Sequence, residues 1–387
     1  MIKKVVVFLF AALFMFSCSD APTSIGLDLL NNDFIKVINT NSDSLGLSQY
    51  SYSFHKEISL ASSSRLLIGK KDNLEASILM RFFVSLSDTL KQDIIDNQIN
   101  VSSAVMELIQ DYEFGNESEP FDFTVHKINS DWGSEFTADS LSNLSYDGED
   151  VSLAKEINDS VTSVTISNQL IESWLMGAAD TSLNTNKGIY LKSHLGTGKV
   201  LGYTAFNTSL INIPVVKVVI DKPGVYTDTL NLPAILDLSV IDGRPPQVST
   251  GNLVIQSGYV FNSKLVFDIS KIPDNAIIND AELVLTLDTA ETVTGSSYSN
   301  TIYAFYLVDS TNTDSLTSLV SNLTRSDNQF KGSLTTIVRL WKSLGNNGLL
   351  LVSAGQLDGL ELFAIKGSNT PNLFERPLLK LTYTQKE

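Results

Sequence analysis

Cysteine and histidine are both scarce in this sequence of 387 residues, which contains one cysteine, Cys18, and three histidines. A single cysteine cannot form a disulfide within the chain, so the fold must be stabilised by packing. The histidines have neither a cysteine partner nor the i, i+4 spacing that is typical of helical zinc sites. These shortages argue against a disulfide-stabilised fold and against a zinc site.

Basic clusters are also lacking. The chain has 27 lysines and arginines against 43 acidic residues, which gives a formal net charge of −16. Nucleic-acid binding depends on clustered basic residues that displace counterions, and beyond the pair Lys70–Lys71 we find no such cluster. We therefore expect no nucleic-acid partner. An acidic surface keeps a protein soluble without identifying what it binds.

The apolar run at the N-terminus is short. It extends over 12 residues, from Val5 to Phe16, and follows Lys3 and Lys4. A helix needs roughly 20 apolar residues to span a bilayer, so this run is too short to cross one. A basic start, an apolar run and small residues after it are typical of a secretory signal peptide.

The residues after this run indicate a lipid anchor. Ser17 and Cys18 resemble the end of a bacterial lipoprotein signal, in which the cysteine becomes the lipidated first residue. Met15 and Phe16 depart from the usual residues and match the looser signals of Bacteroidetes lipoproteins. An ordinary signal peptide with an incidental cysteine is the alternative. We expect a signal peptide (1–17), a tether (18–32), and an outer-membrane lipoprotein on either the periplasmic or the surface side.

The remaining chain has the pattern of an all-β protein. Apolar residues alternate with polar ones in Lys264–Asp288, where Leu265, Phe267 and Ile269 share one face of a predicted strand. Pro273 has no backbone N–H, so it predicts a turn between two strands. Recognisable amphipathic helices are few. The prediction is an all-β fold of antiparallel, jelly-roll-like β-sandwiches.

An internal repeat divides the chain in two. Four blocks recur in the same order and with the same face parity, ending in the closing strands that begin at Pro214 and Pro377. The breaker segment Asp221–Gly224 follows the first closing strand. We predict a first, degenerate β-sandwich domain over residues 33–220 and a second over residues 225–387, in tandem.

The second copy resembles the DNRLRE, or disaggregatase-related, β-sandwich family. The resemblance rests on the following residues: Leu265, Phe267, Asp268, Ile269, Ser270, Pro273, Ile278, Ala281, Leu283 and Leu285. The first copy agrees less, since Phe83 replaces the aspartate. Relatives in this family include carbohydrate-binding modules for acidic polysaccharides, so the resemblance implies a non-catalytic binding or structural module.

A sugar-binding site requires an exposed aromatic platform with flanking polar groups. Trp132, with Asp131 and Glu135 beside it, follows a predicted strand and is the best candidate. The alternative, which the sequence favours, is that Trp132 anchors its loop to the core.

Calcium is the only cofactor for which the sequence offers candidates. The segment from Asp111 to Asp122 is rich in acids, and Asp111, Glu113 and Glu117 could supply ligands. It lacks the spacing of an EF-hand, so a solvated loop is the competing interpretation. We otherwise expect no cofactor.

Three functional classes follow from these patterns. The first is a lipid-anchored, non-catalytic binding or adhesion protein for polysaccharide at the cell envelope. The second is a structural envelope lipoprotein that binds a protein partner through a sheet edge. The third is a glycan hydrolase with paired carboxylates, for which no catalytic residues can be named because the sequence contains no nucleophile motif.

Overall fold

The computed structural model describes residues 35–183, 185–207, 212–313 and 316–386. These residues form antiparallel strands in two large hydrogen-bonded sheets. The predicted all-β sandwich class is confirmed. Cys18 and the predicted signal peptide and tether lie outside the described residues.

The first sheet is built from one continuous stretch of chain. Its strands are β3 (Arg65–Lys71), β4 (Leu74–Phe82), β5 (Asn100–Phe114), β6 (Phe123–Lys127), β7 (Ser152–Ile157), β8 (Val161–Ile166), β9 (Ile189–Ser193), β10 (Val200–Thr204), β11 (Val215–Lys222) and β12 (Tyr226–Gly243). They are hydrogen-bonded in the order β10-β3-β4-β12-β11-β5-β8-β7, and β9 pairs with both β4 and β6.

The second sheet combines the N-terminal strands with the C-terminal third of the chain. Its strands are β1 (Ile35–Asn41), β2 (Gln49–His55), β13 (Asn252–Gln256), β14 (Phe261–Phe267), β15 (Ile277–Thr286), β16 (Thr301–Leu307), β17 (Leu316–Ser326), β18 (Gln329–Ser333), β19 (Leu349–Ser353), β20 (Leu362–Lys366) and β21 (Leu378–Lys386). The order is β1-β21-β15-β18-β17-β16-β19-β14-β13-β20, and β2 pairs with β14.

The division by sheet differs from the division by sequence repeat in two segments. The strands of residues 35–55 pair with the second sheet, where β1 lies beside β21 and β2 beside β14. Strand β12 pairs with β11 and β4 of the first sheet. The segment Asp221–Gly224 is the hairpin turn between β11 and β12, because a short turn lets consecutive strands pair directly. The chain passes between the sheets at residues 56–64 and 244–251 instead.

Each sheet encloses its own apolar core. Inward residues from nearly every strand of the first sheet form one buried cluster, and those of the second form another. Since strands along a continuous sheet contribute to one cluster, each sheet must fold over itself to cover that cluster.

Helices seal both cores. The helices are α1 (Asp88–Ile95), α2 (Asn168–Ala179) and α3 (Thr335–Leu344). Trp174 of α2 and Trp341 of α3 are fully buried, each one turn after an aliphatic residue on the same helix face. The ring of Trp174 stacks on Phe82 with 5.7 Å between centroids. These two tryptophans therefore fill the cores of the first and second sheets.

Candidate functional site

Trp132 is packed against the outside of the first sheet. It is 8% exposed, and its indole Nε1 donates a hydrogen bond to the backbone carbonyl of Lys187 at 2.7 Å. The ring lies in an apolar cluster with Leu79, Tyr190 and Leu238, and the Arg81 guanidinium lies 5.6 Å from its centroid. Trp132 thus offers no free face for a sugar. It anchors its loop, the interpretation that the sequence favoured.

The acids beside Trp132 lie at the solvent edge of the same loop. Asp131 accepts a hydrogen bond from Lys187 Nζ at 2.5 Å, and this bond holds the pKa of the Asp131 carboxyl below its usual value. Glu135 is exposed, and the Ser134 hydroxyl lies 3.5 Å from its carboxylate. These acids do not flank an accessible aromatic ring.

Two of the three candidate calcium ligands form ion pairs with basic side chains. Asp111 forms an ion pair with Arg65 at 2.9 Å, and Glu113 forms one with Lys199 at 2.9 Å. The backbone carbonyl of Glu117 accepts a hydrogen bond from the same lysine. Within the described ranges, no group of three or more His, Cys, Asp or Glu side chains has the geometry to hold a metal ion.

The part of the chain that the structure describes contains no helix with both the length and the apolarity needed to span a bilayer.

A row of aromatic side chains lies on the outer face of the second sheet. Paired residues cross five neighbouring strands in the order Tyr52, Lys264, Leu350, Phe305 and Val320. The adjacent row contains Phe54 opposite Asn262, and Val352 opposite Tyr303, which in turn lies opposite Asn322; the pairing of Ser263 with Leu351 places Asn262 and Val352 side by side. We call the aromatic members of these rows, together with Tyr50 of β2, the aromatic face.

The aromatic face is open to solvent. Tyr50 and Tyr52 are 53% and 46% exposed, and the other three rings are half-buried. Tyr52 lies 6.1 Å from Phe54, and Tyr303 lies 6.1 Å from Phe305, measured between ring centroids. Tyrosines and phenylalanines at alternate positions of a strand point to one side of the sheet, so the geometry follows from β-strand pleating.

A buried lysine lies beneath these rings. Lys264 is 2% exposed, and its Nζ donates to the backbone carbonyl of Ser310 at 2.5 Å. Burial lowers the pKa of its ammonium group, while the charge of Asp309 opposes this shift. The centre of the aromatic face therefore has a cationic group just below its surface.

The equivalent face of the first sheet is covered. Its row is Leu238, Leu79, Tyr190 and His126, in the same register as the row of the second sheet. The connection from β6 to β7, residues 128–151, lies across it and contributes Trp132 and Leu144 to the buried cluster. The corresponding connection from β16 to β17, residues 308–315, is shorter. Among the residues that the structure describes, only those of the second sheet therefore present an open row of rings.

A buried polar network joins the two sheets. The Tyr112 hydroxyl donates to Glu361 Oε1 at 2.8 Å and accepts a hydrogen bond from the Leu360 N–H at 3.0 Å. The Arg65 guanidinium lies 4.5 Å from the centroid of the Tyr112 ring. Burial raises the pKa of the Glu361 carboxyl. Because each buried polar group has a partner, this network stabilises the contact between the sheets.

The aromatic face could have been found from alternating rings in the sequence. Tyr50, Tyr52 and Phe54 follow each other at every second position, as do Tyr303 and Phe305. That pattern predicts a shared face within each strand. Whether the two strands meet on one side, and whether a loop covers them, depends on the tertiary structure.

Comparison with models of known protein families found no match, and comparison with curated proteins found none. The resemblance to DNRLRE domains and to bacterial lipoprotein signals therefore remains a prediction from the sequence.

Proposed function

We propose that this protein is an exported, lipid-anchored envelope protein that binds polysaccharide, without catalysis, on the aromatic face. The observation that supports this proposal is the open row of rings on the second sheet, at the position where the first sheet is covered. Aromatic rings offer a large, rigid apolar surface that can pack on the C–H face of a sugar, and tyrosine adds a polar hydroxyl.

The width of the face favours a polymer over a single sugar. Tyr52 on β2 and Phe305 on β16 are separated by β14 and β19. With about 4.8 Å between neighbouring strands, the two rings stand roughly 14 Å apart across the sheet. A ligand that contacts both must be extended. The chemistry of the site therefore fits an oligosaccharide segment of a longer chain.

Affinity electrophoresis in gels that contain alginate or pectin tests this proposal. We expect the full-length protein to be retarded, and Tyr52→Ala or Tyr303→Ala to bind at least tenfold more weakly, about 1.4 kcal/mol. Phe83→Ala is the matched control, because Phe83 is also an exposed aromatic residue, at 51%, but lies away from the aromatic face, directly after β4 of the first sheet. Lack of retardation by any polysaccharide, or equal loss in the control, would contradict the proposal.

The lipid anchor has a separate test at Cys18. We expect Cys18→Ser to move the protein from the membrane pellet to the soluble fraction and to abolish labelling by radioactive palmitate, because several acyl chains hold a protein durably on a membrane. A substituted protein that stays labelled in the pellet would contradict this part of the proposal.

The edge of the first sheet favours a second candidate function, binding of a protein partner. Strand β7 ends the sheet order, and its Leu153 is 67% exposed. An exposed strand edge can pair with a strand from another protein. Pull-down from membranes with tagged full-length protein should then recover one stoichiometric partner, and Leu153→Lys should reduce the recovery. Recovery that does not change in this variant would exclude β7 as the contact.

A further inference from the structure

A cavity of about 360 Å³ lies where the chain crosses from the first sheet to the second. Lys71 and Phe114 of the first sheet line one side, and Gln256 and Leu362 of the second sheet line the other. Arg244 enters it from the crossing segment 244–251. The volume falls within the range of about 300–1,000 Å³ that is usual for small-molecule sites.

Gln256 brings an unsatisfied acceptor to this cavity. The residue is 4% exposed, and its side-chain Oε1 has no hydrogen-bond partner among the described residues. Its backbone is held between Phe261 and Leu362 by strand pairing. A buried acceptor without a donor is rare, because it loses its bond to water and gains none in return. Such a group is suited to accept a hydrogen bond from a ligand.

Arg244 is the available cation at this site. Its side chain is exposed and has no hydrogen-bond or ion-pair partner within the described parts of the chain, while its backbone N–H donates to the carbonyl of Asn73 at 3.3 Å. Lys71, by contrast, is paired with Glu119 at 3.0 Å and with Asp72 at 3.8 Å. A guanidinium group presents a planar pair of donors that matches a carboxylate.

Two acids line the cavity, Asp72 and Glu291, and both have partners of their own: Asp72 lies beside Lys71, and Glu291 is bound to its neighbours. Glu291 accepts hydrogen bonds from the backbone and hydroxyl of Ser249 and from the amide of Asn252. These bonds hold the pKa of the Glu291 carboxyl below its usual value. The Glu291 carboxylate is therefore held by Ser249 and Asn252, and within the described ranges it forms no ion pair with Arg244.

We propose that this cavity binds a small hydroxy acid. The ligand carboxylate would pair with the Arg244 guanidinium, a ligand hydroxyl would donate to Gln256 Oε1, and the carbon chain would pack on Phe114 and Leu362. This inference is independent of polysaccharide binding on the aromatic face, because it uses other residues at another place in the molecule.

Isothermal titration calorimetry of the full-length protein with D-gluconate tests the proposal. Sorbitol, which has the hydroxyls but no carboxylate, and hexanoate, which has the carboxylate but no hydroxyls, are the matched probes. We expect saturable binding of gluconate and at least tenfold weaker binding of both other probes. Absence of gluconate binding, or equal binding of sorbitol or hexanoate, would overturn the proposal.

Two substitutions make the test specific to this cavity. Arg244→Gln should weaken gluconate binding at least tenfold, while Arg325→Gln, which removes the same charge from a hairpin of the second sheet, should leave it unchanged. Gln256→Met should abolish binding and raise the Tm of the ligand-free protein, since it removes the unpaired acceptor. Unchanged binding in Arg244→Gln or Gln256→Met, or a lower Tm in the latter, would overturn the proposal.

Discussion

The outer faces of the two sheets share a register but differ in what covers them. Leu79 of the first sheet and Lys264 of the second hold equivalent positions, each paired to a residue of the strand that follows a helix. The first position is sealed under Trp132 and its loop, whereas the second lies under rings that solvent reaches. One scaffold thus supports a closed face and an open one. The difference comes from loop length and from the identity of a few outward residues.

The largest expected effect comes from a substitution that removes the cover from the closed face of the first sheet. Trp132→Ala should lower the free energy of unfolding by about 3–5 kcal/mol, because it leaves a cavity under the loop and frees the carbonyl of Lys187. Tyr52→Ala on the open face should change it by about 0.5 kcal/mol or less. Urea unfolding of both variants measures the contrast. Equal effects would mean that the two faces do not differ in burial.

The next largest effect is on the pH dependence of stability, and it arises from a buried acid in the first sheet. Burial raises the pKa of Asp237 to about 6, although the backbone N–H of Phe206 donates to its carboxylate at 2.8 Å. The equivalent position in the second sheet is Ser51, which cannot titrate. Because the folded pKa lies above the ordinary value of 3.8, Asp237 contributes stability at low pH that is lost as the pH rises through about 6.

Asp237→Asn should therefore flatten the decline in stability between about pH 4 and pH 7. A shift of roughly two pKa units corresponds to about 3 kcal/mol at most. Urea unfolding at several pH values, compared between variant and parent, isolates this group from the other carboxyls. A pH profile that keeps the parent's slope would contradict the assignment.

The smallest expected effect comes from replacing Lys264, the central residue of the open face, by the leucine that occupies the equivalent position of the covered face. Lys264→Leu gives the second sheet a residue like Leu79 and removes a buried ammonium group whose pKa is lowered by burial. We expect the free energy of unfolding to rise by about 1 kcal/mol, because burying an apolar side chain, unlike burying an ammonium group, carries no desolvation penalty. Thermal unfolding measures the change. Lys217→Leu is the control, and it should leave stability almost unchanged because Lys217 belongs to an exposed ion pair. A large loss of stability in Lys264→Leu would contradict the equivalence of Lys264 and Leu79.

The alternation of Leu265 and Phe267 was sufficient to predict strand β14, although that strand ends before Ile269. Period-2 alternation reports which residues face a core, and this is a local property. The partner of each strand is not local. Strands β1 and β12 are the first strands of the two sequence repeats. However, β1 pairs with β21 and β12 pairs with β11, so each joins the sheet of the other repeat.

The all-β class could be predicted from local sequence, because strand propensity and apolar alternation depend on each residue and its near neighbours. Which face stays open and where the cavity forms depend on contacts between residues that are far apart in the chain. The rings of Tyr52 and Phe305 are 253 positions apart in the chain and come together only through intervening strands. Arg244 and Gln256 likewise meet the first sheet through a crossing whose course depends on long-range pairing. Such pairing is set by packing over the whole molecule, which no short stretch of sequence specifies.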